Sequence, residues 1–284
     1  MTLNTFTISV FVLGLSAVQA SSQDIYGSIG LNLNNGSVER TDIAGLPKYA
    51  NGVILNGFVG KEFNNGYFIE GEARLQETDA AVASDALSSG RMIALRAGRD
   101  FGVYDIEGFV GYVTSENDND GTNDRYFIGL GGTYRVNQKL SLNGLLGYLD
   151  GTGGTDDDGF DGMSKFTHVA LGMNYQFNNR FGMNATVSYG DGVMDDDVPR
   201  DEAAIVKEFT IGGTYQFNNP AWSAYANLAY ADLYQGGERD SAIDKRINIG
   251  VNWSFGNRSS QRLRTRPAIP NYASWLAVSG GILE

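Results

Sequence analysis

Apolar and polar residues alternate along most of this chain, from Asp24 to about Phe255. The alternation comes in runs of about ten residues that turn-forming residues separate, which is typical of β-strands with two different faces. Helical periodicity is not sustained anywhere, so the pattern predicts an all-β fold. We count twelve such runs, near 24–34, 52–63, 67–77, 91–101, 103–114, 125–136, 139–149, 164–177, 181–190, 205–217, 222–233 and 244–255.

The connections between these runs alternate between two kinds. One kind is tight and rich in Asn and Gly, as at 64–66, because these residues accept the positive φ of hairpin turns. The other kind runs to roughly ten residues or more and is acidic, as at 116–124, 150–162 and 190–202. Short turns at one edge and long loops at the other predict a transmembrane antiparallel up-and-down barrel of about twelve strands, with periplasmic turns and acidic extracellular loops.

The outward face decides between a membrane barrel and a soluble one, because only a membrane barrel turns its apolar residues outward. In the run 181–190, Phe181, Val187 and Tyr189 share a face that opposes only Gly, Asn, Thr and Ser. That second face is too small and polar for a soluble core. We therefore expect the apolar face to contact lipid.

Aromatic residues recur eight positions apart on the apolar face of four runs. Eight residues span roughly 26 Å along a strand, or about 20 Å along the membrane normal after tilting. This spacing matches two aromatic girdles at the membrane interfaces. The pairs are Tyr104 with Tyr112, Tyr126 with Tyr134, Phe181 with Tyr189, and Trp222 with Tyr230.

The two ends of the chain differ from this pattern. Residues 1–20 carry an apolar run and end in small residues at Val18 and Ala20, which predicts a cleaved signal peptide. Residues 21–255 then form the barrel, and 256–284 form a basic C-terminal tail that we expect to be periplasmic. One alternative for the tail stays open: its arginines pair with carboxylates of the lumen or with lipid phosphates, while Trp275 docks.

Charged residues on the polar face of each run are predicted to face the lumen. We expect the turn at 101–102 to pair Asp100 with Val103 and to bring Arg96 opposite Glu107. The other wall of the lumen is predicted to consist of Gly, Ser, Thr and Asn. The candidate pore-lining residues are Glu70, Glu72, Arg74, Arg96, Asp100, Asp105, Glu107, Arg125, Arg135, His168, Glu208 and Arg246.

Composition excludes several functions. The chain has no cysteine and one histidine, so thiol chemistry, disulfides and zinc sites have no basis, and we expect no cofactor and no metal. A net charge of −12 argues against nucleic acid as a partner. The acidic loops do not complete a calcium loop either: Glu116, Asp118 and Asp120 come closest, but Phe127 stands where the closing Glu is needed.

The last run resembles the assembly signal of bacterial outer-membrane proteins. It places a polar residue, a glycine and two aromatic residues at Asn248, Gly250, Trp253 and Phe255. Related endings at 172–177 and 212–217 form a hairpin repeat of about 40 residues. The chain is thus similar to Gram-negative porin-like barrels. This resemblance implies a place in the bacterial cell outer membrane, with lipid, lipopolysaccharide and the barrel-assembly machinery as partners, and a possible homo-oligomer.

The favoured function is a porin-like channel for passive diffusion of ions or small hydrophilic solutes, because many inward residues are small or charged. Resembling barrels also include lipid-modifying enzymes of the phospholipase or lipid A deacylase type. Val169 and Ala170 follow His168, however, where the phospholipases need a serine, so we expect no enzyme. A non-conducting structural or adhesive barrel is the third alternative; it holds if the charges form a closed network or the tail plugs the lumen.

Overall fold

The computed structural model describes residues 25–40, 48–80, 87–117, 121–150, 163–194, 203–235, 240–256, 266–270, 272 and 275. Within these residues twelve strands close into one antiparallel barrel, in which each strand pairs with its neighbours in sequence and β1 pairs with β12. The predicted twelve-stranded up-and-down barrel is therefore confirmed. The signal peptide 1–20 lies outside the described residues.

The strands run between 11 and 17 residues. No helix among the residues described above is long and apolar enough to cross a membrane. The bounds are β1 (Ile25–Arg40), β2 (Lys48–Glu62), β3 (Tyr67–Ala80), β4 (Leu87–Asp100), β5 (Tyr104–Asn117), β6 (Gly121–Arg135), β7 (Leu140–Asp150), β8 (Met163–Gln176), β9 (Phe181–Met194), β10 (Ala203–Gln216), β11 (Trp222–Gln235) and β12 (Asp240–Gly256).

The apolar face of each strand turns outward, as the sequence predicts. In β6, Ile128 and Leu130 are exposed, whereas Arg125 and Phe127 between the outward residues are buried. Seven of the eight girdle aromatics are also exposed, and Tyr112 is half-buried against Tyr126, with ring centroids 5.2 Å apart. Exposed apolar side chains around a closed barrel require a lipid environment.

The tight turns lie at one edge of the barrel, which we call the turn end; the opposite edge is the loop end. Gly66 and Gly102 adopt φ values of +81° and +87°, a conformation that L-residues with side chains rarely adopt. In the turn before β7, the Asn137 side-chain oxygen accepts the backbone N–H of Leu140 at 2.9 Å, and Asn178 repeats this with Phe181 at 2.9 Å before β9. Asx turns of this kind fix the hairpins.

The strands extend further toward the loop end than the sequence predicts. β5 continues to Asn117 and β6 begins at Gly121, so the predicted loop 116–124 is wrong in extent and only 118–120 connect the two strands. Antiparallel hydrogen bonds do not require apolar side chains, and polar pairs such as Glu116 with Thr122 continue the ladder. Most of the predicted loops 150–162 and 190–202 lies outside the described residues.

The interior is less polar than the sequence predicts. A cluster of buried apolar residues fills its loop-end half, in addition to the charged wall and the wall of Gly, Ser, Thr and Asn that we expected. Inward glycines make room for inward rings: a Cβ on Gly111 would overlap the ring of Phe127, and one on Gly190 would overlap the ring of Phe166. The described cluster includes Met92, Phe109, Val113, Phe127, Leu145, Leu149, Phe166, Val206 and Leu233.

Candidate functional site

The barrel interior is the candidate site, because the predicted charged residues all turn into it. Arg96 and Arg125 are 0% exposed and His168 is 1% exposed, while their neighbours along the strand, such as Leu95, face outward. Glu70, Asp105 and Glu107 are also buried, and Glu72, Arg74, Asp100, Arg135, Glu208 and Arg246 keep side-chain exposures of 20% or less. That these residues line a conducting path stays a prediction.

Arg96 is the centre of the largest charged group among the described residues. Its Nη1 donates to Glu107 Oε1, and its Nη2 lies 3.3 Å from Glu72 Oε2. The predicted pairing was wrong by two residues, because the turn after β4 is longer than expected: Asp100 pairs with Asp105, and Arg96 pairs with Phe109. A shift of two residues keeps Glu107 on the inward face. Arg96 therefore still reaches Glu107, as a diagonal neighbour across the strand pair.

A second charged group closes the turn between β4 and β5. Arg135 Nη2 donates to Asp105 Oδ2 at 2.6 Å, and its Nη1 donates to Asp100 Oδ1 at 3.1 Å. The same Nη1 donates to the Gly102 carbonyl at 2.7 Å. One guanidinium therefore connects three neighbouring strands at the turn end, and this group is structural in its geometry.

The remaining predicted residues lie further from this wall. Arg246 lies 3.4 Å from Glu208 Oε2 and 2.8 Å from Asp244 Oδ2, which joins β10 to β12. Arg125 Nη1 donates to the Asp124 carbonyl at 2.9 Å. The sequence prediction omitted Asp244 and also Tyr26, whose hydroxyl donates to Glu70 at 2.6 Å. The inward parity of these residues was the signal that could have found both.

The C-terminal tail enters this interior. Arg266 Nη1 donates to Glu70 Oε2 at 2.9 Å, and its Nη2 donates to Glu72 Oε2. Its guanidinium also lies over the ring of Phe58, 4.1 Å from the centroid. Arg96 Nη1 donates to the carbonyl of Pro267 at 2.9 Å. These contacts agree with the alternative in which the arginines of the tail pair with carboxylates of the lumen. A periplasmic position of the rest of the tail stays a prediction.

The tail then crosses toward the opposite wall. Arg74 donates to the carbonyls of Ile269 and Pro270 at 3.3 and 3.4 Å. Further on, the Tyr272 hydroxyl lies 2.9 Å from His168 Nδ1, and Trp275 Nε1 donates to Glu208 Oε2 at 3.0 Å. Contacts from β3 on one side to β8 and β10 on the other show that this segment passes through the lumen.

Apolar packing holds the far part of the tail. The ring of Tyr272 lies 5.1 Å from that of Phe127, and the ring of Trp275 lies 5.7 Å from that of Phe166. Ile269, Tyr272 and Trp275 are 1–2% exposed. Burial also raises the pKa of the Tyr272 hydroxyl, so this group stays protonated. The tail completes the apolar cluster of the interior.

A polar cavity of about 750 Å³ occupies the turn-end half of the lumen. Its mouth lies among the tight turns, where Lys139 and Arg180 contribute cations, and its inner limit includes Arg74, Arg266 and Ala268. The walls are rich in amides and hydroxyls, among them Asn56, Asn143, Asn174, Asn184, Thr210, Ser223, Asn227 and Asn252. The cavity therefore ends where the tail begins to fill the lumen.

The described residues contain no group of three or more His, Asp or Glu side chains arranged to hold a metal ion. The expectation that the protein needs no metal or cofactor stays a prediction. His168 contacts Tyr272 and lies 5.7 Å from the ring of Trp275, measured between centroids. These neighbours belong to the tail, which the enzymatic alternative did not anticipate.

Lipid-facing apolar residues around a closed antiparallel barrel define an outer-membrane β-barrel. The model of the outer membrane protein beta-barrel domain family matches residues 86–255, more than half of the chain. The chain belongs to this family, and it is located in the bacterial outer membrane. No curated protein matches the chain.

Solved structures of several outer-membrane barrels are similar to this chain at low sequence identity. The CymD monoaromatic hydrocarbon channel is similar at a TM-score of 0.51 and 10% identity, over 87% of this chain and 93% of that chain. The translocator domain of autotransporter NalP from Neisseria meningitidis has a TM-score of 0.48 and 16% identity, over 88% and 96%. The KdgM porin in complex with disordered oligogalacturonate has a TM-score of 0.43 and 14% identity, over 79% and 99%.

Proposed function

We propose that this protein is an outer-membrane channel for passive diffusion of ions or small hydrophilic solutes. The polar cavity carries this proposal, because it opens at the turn end and extends into the barrel. Amides, hydroxyls and charges on its walls replace the hydration shell of a passing solute. The same proposal includes export by the signal peptide 1–20 and a periplasmic position of the turn end. It also includes insertion through the assembly signal, which consists of Asn248, Gly250, Trp253 and Phe255.

The tail determines the conducting state in this proposal. Tyr272 and Trp275 fill the lumen beyond the inner limit of the cavity, so the described conformation is closed. Their removal would free the space that their side chains occupy between the walls of β6, β8 and β10. Conduction therefore requires the tail to leave.

Single-channel conductance in a planar bilayer tests the function. We expect stable steps from a chain that ends after Phe255, and rare or smaller steps from the full chain. Lys207→Gln in the full chain is the control, because Lys207 is exposed on the outer surface of β10, away from the cavity. Silence of both the full and the shortened barrel, when both are folded, would overturn the channel proposal.

A non-conducting structural barrel is the second candidate, favoured by the same contacts between tail and lumen. In that case the tail is a permanent part of the interior, and the charged groups around Arg96 stabilise the wall. The shortened chain distinguishes the two candidates, since a structural tail predicts loss of stability without conductance.

A further inference from the structure

In the described conformation, the side chain of Arg266 from the tail occupies a binding site in the lumen, as a ligand would. The Arg266 guanidinium contacts two carboxylates, those of Glu70 and Glu72, and it lies over the face of the Phe58 ring. A planar fork of donors facing carboxylates and lying over a ring is the usual recognition of a guanidinium. The three barrel residues therefore form a guanidinium site, which we call the lumen cation site.

Charge balance gives this site a need for a cation. The carboxylates of Glu70, Glu72 and Glu107 and the guanidiniums of Arg74, Arg96 and Arg266 form one connected group of three negative and three positive charges. Loss of Arg266 would remove one of the three guanidiniums that these described ion pairs place against the carboxylates. Because removing one partner of a buried ion pair is costly, release of the tail favours binding of another cation.

The site also faces the open cavity. Phe58, Glu72 and Arg266 line the inner end of the cavity, and Glu72 and Arg266 keep side-chain exposures of 8% and 16%. A solute that enters at the turn end therefore reaches the pair without passing through the apolar cluster. The described tail residues 266–270 form no strand with the barrel, so no β-ladder has to break when they leave.

We propose that the C-terminal tail is a displaceable plug whose Arg266 occupies the lumen cation site, and that small organic cations of the guanidinium type displace it. The exchange replaces one guanidinium by another at Glu70, Glu72 and Phe58. Tyr272 and Trp275 follow Arg266 out of the lumen, because they belong to the same short segment. Opening as a consequence rests on the proposed channel function, whereas the exchange itself does not.

Fluorine NMR of Trp275 tests the exchange without any conductance measurement. The chain has three tryptophans, so labelling with 5-fluorotryptophan gives three resonances, and Trp275→Phe assigns one of them. We expect arginine amide to move the Trp275 resonance saturably toward its solvent-exposed position. Citrulline amide has the same shape but no guanidinium charge, and we expect its half-saturating concentration to be at least tenfold higher.

Two variants place the effect at the site. Glu72→Gln is expected to raise the half-saturating concentration of arginine amide at least tenfold, whereas Glu116→Gln, at an exposed pair with Arg91, leaves it unchanged. Arg266→Gln lies outside the strands and is expected to shift the Trp275 resonance without ligand. Heat-modifiable electrophoretic mobility shows that each variant barrel is folded.

Equal responses to arginine amide and citrulline amide, or a Trp275 resonance that Arg266→Gln leaves in its buried position, would overturn the proposal. Conductance of the same samples separates this outcome from failure of the channel function. A displaced tail with a silent barrel contradicts the channel and supports the site. A conducting shortened barrel whose full-length tail ignores arginine amide contradicts the site and supports the channel.

Discussion

The ring of Phe127 occupies the space that a side chain on Gly111 would need, across the pairing of β5 with β6. Phe109 and Gly129 repeat the arrangement with the strands exchanged. Two rings and two glycines thus interlock on the inner wall, with ring centroids 6.2 Å apart. The tail packs on this wall through the contact between Tyr272 and Phe127.

We predict that Gly111→Ala destabilises the barrel by about 1–3 kcal/mol, because the new Cβ forces the Phe127 ring out of position. Gly71→Ala is the matched control, since nothing lies within 4 Å of its Cβ position on the outer surface. That control should be neutral or stabilising by about 0.5–1 kcal/mol. Urea unfolding in phospholipid vesicles measures both, and equal effects would contradict the interlock.

We expect Arg96→Gln to destabilise the barrel more than Gly111→Ala does. It leaves Glu107 and Glu72 without their shared guanidinium, and loss of one partner of a buried pair costs about 3–5 kcal/mol. Arg99→Gln, on the same strand but outside, removes stacking on Tyr67 and Phe101 and should cost about 1 kcal/mol or less. The double variant Arg96→Gln with Glu107→Gln should lose less than the sum of its parts in the same unfolding assay.

Sequence alone predicted much of the barrel and part of its interior. Period-two alternation fixed which residues of each strand face inward, so the orientation of Glu70 and Arg96 could be predicted without knowing the register. The predicted pairing of Asp100 was wrong, because the register depends on the length of the turn after β4, which the sequence pattern does not determine. The packing of inward Phe109 and Phe127 could not be predicted, since it depends on glycines across the strand pair.

The position of the tail could be predicted only as an alternative. Its arginines and Trp275 suggested docking, but the partners lie 67 to 196 residues earlier in the chain. Local patterns carry no information about such contacts. Closure of the barrel brings Glu70, His168 and Glu208 around one space, and only then does the tail have a complementary surface.

Substitution of Arg135 should act on the turn between β4 and β5 alone. Arg135→Gln removes the donors to Asp100, Asp105 and the Gly102 carbonyl, and charge-assisted hydrogen bonds contribute about 1.5–3 kcal/mol each. We expect a loss of this order in stability, with amide exchange accelerated around 100–105 and unchanged around 137–140. Equal acceleration in both turns would contradict a local role for Arg135.

In the proposed channel, we expect ion preference to depend on the charges at the mouth of the cavity. Lys139 and Arg180 lie there, while the carboxylates that line the cavity, Glu72 and Glu208, lie deeper. A positive mouth concentrates anions, so the chain that ends after Phe255 should show a weak anion preference in a salt gradient. In that shortened chain, Lys139→Glu combined with Arg180→Glu should lower the ratio of anion to cation permeability roughly twofold or more.

The matched control for this charge reversal is Lys207→Glu, because Lys207 is exposed and shares the outward parity of Phe209 on β10. The reversal potential of this variant should equal that of the parent shortened chain, since a charge on the outer surface is separated from the path by the barrel wall. High salt should reduce the effect of the mouth variants, because exposed charges are screened over about 3 Å at 1 M. A reversal potential that follows Lys207 instead of Lys139 and Arg180 would contradict a conducting path through this cavity.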